Sequence, residues 1–438
     1  MTDDRGIYRI YGLAPGVYIV SVGASNGYGF DDAQVRRDAP TYYPSATRDT
    51  AAEINLRGGE EVSGIDIRHR GERGRIVSGA VSGGGESPSS YRVMLKGFEA
   101  GRFEATVFVH SSRGFAFYGV PDGVYDLVAM SEGADGMFSS AARQVSVKGV
   151  DVSGVELKLE PQGSIAGRVA IESLNPPKRC AINSGWGGWA ENQTSGQVRE
   201  QTGRQPVVEE ITLRADRDDP NQRPRRSRFG WVDRYGSAPN EKGEYALKNL
   251  DAGRYRIAAN LPDDGWHIRA IRSGQSGQSG AGAAKPLAGA AKGPVDASRS
   301  GIAIKPGEKL SGVEVIVAED AARLNGRVVP AKDGAKLTSS LRVHLIPAEA
   351  ASADDVIRYA ETDVHNDGAF EFKHVAPGKY LLHTRQSNEK VANDDQVRPV
   401  SWDVIERAKL RREAEAAKNE IELQPCGRVK DHVLRANR

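Results

Sequence analysis

One short stretch of the sequence carries residue types that could bind zinc. His69 and Glu72 in "HRGE" have a His-x-x-Glu spacing, which can supply two ligands to the metal. A zinc site needs at least three protein ligands that are held rigidly, and no third ligand is recognisable near this pair. The string follows "IDIRHR" in a polar link between two repeated units. We therefore expect a solvated linker here, and no metal.

A second stretch, "DVHNDG" (363–368), is similar to the start of a calcium loop. Asp363, His365 and Asp367 stand at alternate positions. The twelfth position of such a loop requires a bidentate glutamate, and His374 stands there instead. Short polar side chains followed by glycine are also typical of a tight turn. The sequence therefore favours turn chemistry over a calcium site.

The sequence offers no recognisable catalytic constellation. His110 is followed by Ser111 and Ser112, but no G-x-S-x-G elbow follows a strand and no acid partner is recognisable. The glycine-rich "SGGGES" (82–87) lacks the Lys-Ser/Thr ending of a phosphate-binding loop. We expect a protein that is not an enzyme and that uses no cofactor.

Aromatic residues gather in one inserted segment. Trp186, Trp189, Trp231 and Tyr235 lie between 184 and 240, and Trp266 follows shortly after. Exposed rings could serve as flat platforms for the apolar faces of sugars, which makes the first four candidate ligand-binding residues. The alternative is that the rings form a small satellite core under a long loop.

A basic run, "RPRRSRFGW" (223–231), lies in the same segment and has the composition of an anionic contact. It follows the acidic "DRDD", and the whole chain of 438 residues carries a formal net charge of only +2. A solvated loop is therefore favoured, and no nucleic-acid partner is expected.

The sequence predicts a repeated hairpin, which must position these candidate residues. It recurs four times, at 3–22, 111–130, 240–260 and 365–384, with aromatic and β-branched residues alternating on either side of a turn. Glycine and tyrosine are 12 positions apart in three copies, and in the second copy Phe115 and Phe117 keep the alternation. The repeat positions are Gly6, Tyr8, Gly16, Tyr18, Gly123, Tyr125, Gly243, Tyr245, Gly253, Tyr255, Gly368, Phe370, Gly378 and Tyr380. A repeat of this kind governs the fold prediction.

Two further strands repeat around the hairpin. An earlier G-x-V strand reads "GRIVSGAVSG" (74–83), "GSIAGRVAI" (163–171) and "RLNGRVVP" (323–330). A later S-G-V strand reads "VSGIDI" (62–67), "VSGVELKL" (152–159) and "LSGVEVIV" (310–317), with "NEIEL" (419–423) as a weaker fourth copy. The first unit lacks its G-x-V strand, so the sequence predicts one partial and three complete β-sandwiches.

The spacing of these strands predicts the domain organisation. The partial sandwich covers 1–72, complete sandwiches cover 73–160, 161–320 and 321–426, and a tail covers 427–438. The third unit carries insertions at about 184–240 and 273–301. The second insertion is rich in Gly, Ser and Ala, so we expect a flexible loop. The first contains a strand-like "VVEEITL" (207–213).

The fourth unit carries the only helix that the sequence predicts with a clear period. Apolar residues recur at near-helical spacing within 401–420, so a helix is expected at about 402–417, with Ser401 as a possible cap. We expect the last strand of this unit to be "IELQP" (421–425).

Composition adds bounds on the class of protein. Hydrophobic residues make up 39% of the chain, and no run approaches the 18 apolar residues of a membrane span. No signal peptide is visible after Met1. Cys180 and Cys426 fall in different predicted units, so a bridge would have to cross a domain interface. We expect two unpaired thiols.

The repeated hairpin, set between a G-x-V and an S-G-V strand, resembles the carboxypeptidase regulatory-like domain. That family is a transthyretin-like, seven-stranded β-sandwich grouped with carbohydrate-binding-like folds. The resemblance covers about residues 1–426, apart from the insertions. The segment "RREAEAAKNEIELQPC" is similar to the end of multi-domain bacterial envelope proteins built from such repeats.

The resemblance implies a non-catalytic, secreted or envelope-associated array of modules, extracellular or periplasmic, in which the hairpin residues are structural. Carbohydrate binding is the expected activity, and a structural spacer or protein-docking array without a sugar ligand is the alternative. Expected partners are a polysaccharide or an envelope protein. An incomplete sandwich exposes unpaired backbone edges. We therefore expect either that the true start lies upstream of Met1 or that a further chain completes the first unit.

Overall fold

In the computed structural model the chain is built mainly of strands, and the prediction of an all-β protein with sandwich-type sheets is confirmed. The chain divides into two compact units, Met1–Gln162 and Gly163–Arg438. The structure describes residues 3–23, 38–47, 50–84, 90–97, 104–109, 113–133, 136–172, 180, 207–219, 236–278, 295–330, 337, 341–365, 367–386 and 399–436.

The described residues of the first repeat contain four short strands. They are β1 (Gly16–Tyr18), β2 (Ser21–Val22), β3 (Thr41–Tyr42) and β4 (Ile54–Leu56). Strand β1 pairs with β4 and β2 with β3, both antiparallel. The expected strands at 8–11 and 62–67 do not form: both segments are described and neither is part of a strand. This prediction from alternation was wrong, because a strand also needs a neighbour to pair with.

The second repeat is complete. Its strands are β5 (Arg75–Gly83), β6 (Tyr91–Gly97), β7 (Glu104–Val109), β8 (Gly114–Val120), β9 (Gly123–Gly133), β10 (Gly136–Ser140), β11 (Arg143–Val147) and β12 (Val152–Pro161). The sheet order is β7-β6-β9-β10-β12-β5-β8, and β11 also pairs with β9. Strand β10 therefore joins the two layers of the sandwich into one continuous sheet.

The third repeat has the same plan in two separate sheets. Its strands are β13 (Gly163–Glu172), β14 (Thr212–Arg217), β15 (Glu244–Leu250), β16 (Gly253–Asn260), β17 (His267–Gln278), β18 (Val295–Asp296), β19 (Ile302–Ile304) and β20 (Lys309–Ala318), with a one-turn helix α1 (Ala297–Ser300). The sheet orders are β15-β13-β20-β17-β18 and β14-β16-β19. Strand β14 lies in the first predicted insertion, so part of that segment belongs to the sandwich. The flexible loop expected at 273–301 was wrong at both ends, because 273–278 belong to β17 and 295–300 form β18 and α1. Residues 279–294 lie outside the described residues.

The fourth repeat corrects two predictions. Its strands are β21 (Ala322–Val329), β22 (Leu341–Pro347), β23 (Ala360–Asp363), β24 (Ala369–Val375), β25 (Gly378–Gln386), β26 (Glu420–Leu423) and β27 (Arg428–Arg435). The sheets are β24-β21-β27 and β23-β22-β25-β26. The expected last strand at 421–425 is the second-to-last, and the segment predicted as a tail (427–438) contains the closing strand β27. At Asp431 φ is 56°, where the earlier closing strands have glycine, and this substitution hid the motif.

Helix α2 (Val404–Ala417) confirms the helical period near the C-terminus, but its cap differs from the prediction. The Asp403 carboxylate accepts hydrogen bonds from the backbone N–H groups of Ile405 and Glu406, at 2.9 and 3.0 Å. Ser401, the expected cap, lies in a short 3-10 turn before it. Leu410 packs on the outer face of β22 and β25.

In each complete repeat, the opening G-x-V strand lies between two other strands. It is antiparallel to the strand before the repeated turn and parallel to the closing strand. The three trios are β8-β5-β12, β15-β13-β20 and β24-β21-β27. Three separate hydrophobic clusters fill the sandwiches, around Leu95, Leu127 and Leu157, around Ile165, Leu213 and Val315, and around Leu324, Leu345 and Tyr380. The repeats therefore have separate cores.

A hydrogen bond at the turn of the repeated segment recurs in all four repeats. In the complete repeats the two strands that this turn joins do not pair with each other, so the segment is not the hairpin that the sequence predicts. The hydroxyl of the repeated tyrosine donates to the carbonyl oxygen four residues earlier, which fastens the turn to the strand that follows it. The pairs are Tyr18–Ala14 at 2.5 Å, Tyr125–Pro121 at 2.7 Å, Tyr255–Asp251 at 2.8 Å and Tyr380–Ala376 at 2.6 Å.

Candidate functional site at the junction of the third and fourth repeats

The third and fourth repeats are joined by three residues, Glu319, Asp320 and Ala321, between β20 and β21. The backbone of this link is bonded to both repeats. The Ala321 N–H donates to the carbonyl of Gly265 at 2.8 Å, and the Cys426 N–H donates to that of Asp320 at 3.1 Å. The link therefore has little freedom to act as a hinge.

A disulfide between Cys180 and Cys426 crosses the junction, so the expectation of two unpaired thiols was wrong. The Cα atoms are 4.9 Å apart, although the residues are separated by 246 positions. The Cys180 Sγ lies 3.3 Å from the carbonyl oxygen of Glu319. Only tertiary packing brings the two cysteines together, because one follows the opening strand of the third repeat and the other precedes the closing strand of the fourth.

Two histidines lie beside the link. The His267 Nε2 is 2.8 Å from the Asp320 Oδ1, and both side chains are almost fully buried. The His374 Nδ1 donates to the carbonyl oxygen of Trp266 at 2.9 Å, so a fourth-repeat side chain bonds to third-repeat backbone. Each imidazole thus has a structural partner, and these contacts hold β17 and β24 against the junction.

Arg323 forms an ionic bridge between the repeats. Its Nη1 lies 2.9 Å from the Asp264 Oδ2 of the third repeat, and its Nε lies 2.6 Å from the Glu371 Oε1 of the fourth. The three side chains are about one-third exposed. A planar guanidinium that pairs with two carboxylates at once restricts the relative rotation of the elements that carry them.

A second group of contacts lies around the 3-10 turn Val356–Arg358 of the fourth repeat. Ile357 packs against the core of the third repeat. The Arg299 Nη2 donates to the carbonyl oxygen of Ala351 at 3.1 Å. These contacts extend the interface from the link to helix α1.

Asp355 lies in this interface, where burial disfavours the charged form of its carboxyl. Burial raises the pKa of its carboxyl, nearby Asp296 raises it further, and a hydrogen bond from Ser298 and the charges of Arg358 and Arg299 oppose the shift. Its Oδ1 is buried without a hydrogen-bond partner among the described residues. Ionised Asp355 therefore weakens the interface that it lies in.

Arg256 of the third repeat faces Trp402 of the fourth. Its guanidinium carbon lies 5.5 Å from the centre of the indole ring, a distance typical of a cation–π contact. Its Nε is 2.9 Å from the Asp218 Oδ2, and both charged side chains are largely buried. The junction thus combines covalent, ionic, aromatic and apolar contacts, and all of them hold the third repeat against the fourth.

The predicted ligand-binding residues Trp186, Trp189, Trp231 and Tyr235 lie outside the described residues. Trp266, the fifth aromatic of that region, is 4% exposed in the third core and presents no platform to a sugar. The serine–histidine string at 110–112 and the basic run at 223–231 also lie outside the described part of the chain.

The metal-like motifs have other partners. The Glu72 carboxylate forms an ion pair with Arg70 in the link after the first repeat. The Asp363 Oδ1 lies 2.7 Å from the Arg342 Nε. The Asp367 Oδ1 accepts a hydrogen bond from the Ala369 N–H at 3.0 Å, which is the turn chemistry that the sequence favours. Within the described ranges, no three His, Cys, Asp or Glu side chains are grouped as metal ligands. In the same ranges, no helix has the length and apolar character of a membrane span.

The junction residues Cys180, Cys426, His267, Asp320 and Arg323 were not identified from the sequence. Each pairs with a residue distant along the chain, so no local spacing signalled it.

No family model matches the sequence, and neither does any curated protein. Among solved structures, the Bacillus anthracis TIE protein matches 91% of this chain at 12% identity with a TM-score of 0.18, and this chain spans 57% of its length. GBS52, a minor pilin of Streptococcus agalactiae, matches 56% of this chain and 96% of its own, at 10% identity and a TM-score of 0.25.

BcpA, the major pilin subunit of Bacillus cereus, matches 83% of this chain and 99% of its own, at 8% identity and a TM-score of 0.18. Likenesses at this level carry no argument about the activity of this chain.

Proposed function

We propose that this chain is a non-catalytic scaffold of linked β-sandwiches that works outside the cytoplasm. The observation that carries the proposal is the joint between the third and fourth repeats. There a disulfide, the Arg323 bridge and the Ile357 contact act on a link of three residues. A protein that positions partners at fixed distances benefits from such a joint, whereas flexibly tethered binding modules would not need it.

The disulfide also supports the proposed location. Disulfides persist in extracellular, periplasmic and cell-surface compartments and are rare in reducing ones. Both cysteines of the chain are used in this one bond, and no free cysteine is left. A cell-envelope or secreted location is therefore the one that fits the chemistry of the joint.

A measurement of the rigidity of the junction tests the scaffold proposal directly. Fluorescent labels on non-natural amino acids at exposed positions Lys305 and Val433 report the distance between the two repeats. The scaffold proposal expects one narrow distance distribution in single-molecule measurements on the oxidised chain. A broad distribution, with exchange between several distances, would contradict it.

Polysaccharide binding is the second candidate function. It is supported by the concentration of Trp186, Trp189, Trp231 and Tyr235 within one inserted segment of a β-sandwich protein. Aromatic rings on a loop can stack against the apolar faces of sugars, and the sandwich would hold that loop in place.

A glycan array separates the two candidates. The sugar-binding proposal expects retention of one glycan class, and loss of that retention when Trp186, Trp189 and Trp231 are all replaced by alanine. Tyr11→Ala is the matched control, because Tyr11 is an aromatic residue that is 86% exposed in the first repeat. Binding that survives the triple substitution, or no binding by the native chain, would leave the scaffold proposal alone.

A further inference from the structure

A layer of polar side chains lies between helix α2 and the sheet that the helix covers. Strands β22 and β25 are neighbours in this sheet, and their paired residues alternate between the two faces. The pair Leu345–Leu382 lies in the core of the fourth repeat. The pairs on the outer face are Ile346–Leu381, His344–His383 and Arg342–Arg385. Two histidines therefore lie directly opposite each other on the face that carries the helix.

Both imidazoles are buried. His344 is 3% exposed and His383 is 7% exposed. The His383 Nε2 lies 3.5 Å from the Glu413 Oε2 of α2, and the His344 Nδ1 lies 3.4 Å from the Glu361 Oε2 of β23. Because an imidazole in water titrates near pH 6.5, the layer holds two groups whose charge changes in mild acid.

The charges around the two histidines are already paired in large part. The Glu361 Oε1 lies 3.2 Å from the Arg342 Nη1, so this carboxylate is shared between His344 and a guanidinium. The Arg385 Nη2 lies 3.0 Å from the Glu406 Oε2. Like charges opposite each other on neighbouring strands repel, so two imidazolium ions here would be unfavourable. The other charged residues on this face are the exposed Asp363 of β23 and Glu420 of β26.

Helix α2 has a small apolar contact with the sheet. Of its 14 residues three are buried, and Leu410 and Ala414 are the two apolar ones. They pack against Ile346 and Leu381. The core of the fourth repeat lies on the opposite face of β22 and β25, so it does not depend on this contact. A helix held in this way can leave the sheet by a local opening while the sandwich stays folded.

The remaining attachments of α2 include two arginines. Arg411 donates to the carbonyl oxygens of Pro347 and Ala348 at 2.7 and 2.6 Å. Arg407 donates to the carbonyl oxygen of Ser401 at 2.7 Å. Guanidinium groups and ordinary carboxylates keep their charge between pH 7 and pH 5.5. Histidine is therefore the residue type in this layer whose charge changes over that range.

The direction of the effect follows from burial. Burial lowers the pKa of His383, Glu413 opposes the shift, and His344 and Arg385 lower the pKa further. Below about pH 6.5 a histidine released to water binds a proton that the buried histidine does not bind. The covered form therefore has its full stability above this pH and loses stability as the pH falls below it.

We infer that helix α2 is an acid-released cover on the fourth sandwich. At neutral pH the helix lies over His344 and His383, and protonation of these side chains in mild acid frees it from the sheet. Release exposes the apolar pair Ile346–Leu381. This inference does not rest on the scaffold proposal, because it concerns one face of one repeat.

Amide hydrogen exchange of the full-length chain, followed by mass spectrometry, measures the release. The opening constant of residues 404–417 is obtained after correction for the intrinsic exchange rate at each pH. It should rise by roughly tenfold between pH 7 and pH 5.5, because a histidine that stays neutral in the covered form adds up to tenfold for each pH unit below about 6.5. Strands β21 and β24 should keep their protection.

Two results on the native chain would overturn the inference. One is an opening constant of residues 404–417 that does not change with pH. The other is an equal loss of protection in β21 and β24, which would show that acid unfolds the whole repeat and does not release the helix alone.

A double variant tests whether the two histidines cause the release. His344→Asn with His383→Gln keeps a polar side chain at each position and removes both titrations. Its opening constant for residues 404–417 should be the same at pH 7 and pH 5.5. His365→Gln is the matched control, because His365 is exposed before β24, and this variant should respond to acid as the native chain does. A double variant that keeps the native response would contradict the assignment.

A single substitution on the helix surface gives a second test that requires no change beneath α2. Glu413 is about one-third exposed, and Glu413→Gln removes the carboxylate that faces His383. Protonation of His383 in the covered form then becomes less favourable, so the rise in the opening constant at pH 5.5 should be larger than in the native chain. Glu415→Gln is the control, because the Glu415 carboxylate pairs with Arg411 at 2.9 Å. Equal pH responses of these two variants would refute the inference.

Discussion

Cys180 and Cys426 are 246 positions apart in the chain, yet their Cα atoms lie 4.9 Å apart and a disulfide joins them. One cysteine follows the opening strand of the third repeat, and the other precedes the closing strand of the fourth. The bond therefore provides a covalent path that bypasses nearly all of the two sandwiches between them.

The first prediction concerns thermodynamic stability. Replacing both cysteines by serine should lower the free energy of unfolding of the 163–438 unit by about 2–5 kcal/mol, since the bond restricts the unfolded chain. Denaturant titration of the native and double-variant chains measures the difference. Cys426→Ser alone should lose as much as the double variant, and a native chain that labels with a thiol reagent before reduction would contradict the bond.

The second prediction concerns mechanical extension. When the chain is pulled from both ends, the bond keeps residues 181–425 out of the force path. Reduction should therefore add about 800–900 Å to the fully extended length, at roughly 3.3–3.6 Å for each released residue. Single-molecule force spectroscopy with and without reductant measures this gain. Equal lengths in the two conditions would show that the path is not covalent.

The third prediction tests Gly167, which lies between Tyr245 and Val313 on the two neighbouring strands. Gly167→Ala should destabilise the 163–438 unit by about 1–3 kcal/mol or more, because the added methyl group has no room beside the Val313 carbonyl. Gly274→Ala in the same repeat is the control, since its Cβ would meet its nearest neighbour at an ordinary 3.6 Å. Thermal or denaturant unfolding of both variants measures the two losses of stability. Equal losses would contradict the close approach of Gly167 to the Val313 carbonyl.

The fourth prediction is a pH dependence. Burial raises the pKa of Asp355, so its contribution to stability is full below the unfolded-state value of about 3.8 and is lost as the pH rises through the folded-state pKa. Asp355→Asn should therefore stabilise the chain at pH 7, and the gain should vanish near pH 3.

Asp367 supplies a control of opposite sign for this experiment. The Ala369 N–H lowers the pKa of Asp367, so its contribution is present above the unfolded-state pKa and is lost as the pH falls. Asp367→Asn should cost stability at pH 7. Unfolding curves of both variants at pH 3, 5 and 7 measure the two effects, and a gain for Asp355→Asn that does not depend on pH would refute the assignment.

Much of the architecture followed from local pattern. Alternating aromatic and β-branched residues around a turn predict a hairpin, because a pleated strand presents successive side chains to opposite faces. In the second, third and fourth repeats both predicted strands form, and so does the helix over 404–417. The two strands pair with other strands and not with each other, so the predicted hairpin was wrong. Where the local signal changed, prediction failed: the closing strand of the fourth repeat has Asp431 at the position that glycine occupies elsewhere.

The candidate site was the part that local pattern could not reveal. Arg323 pairs with Asp264 and Glu371, which lie 59 and 48 positions away. The partner of His267 lies 53 positions away, and that of Cys180 lies 246 positions away. Such pairs depend on how two folded sandwiches pack against each other, and periodicity along the chain does not predict that packing.

The sequence by itself determined the turns and the side-chain alternation of most strands, because both act over a few positions. Tertiary structure alone decided which strands find a neighbour. Residues 7–11 have the alternation of a strand and remain unpaired, because the energy of a strand lies in hydrogen bonds to a second segment, and the two cysteines meet only because folded repeats bring their ends together.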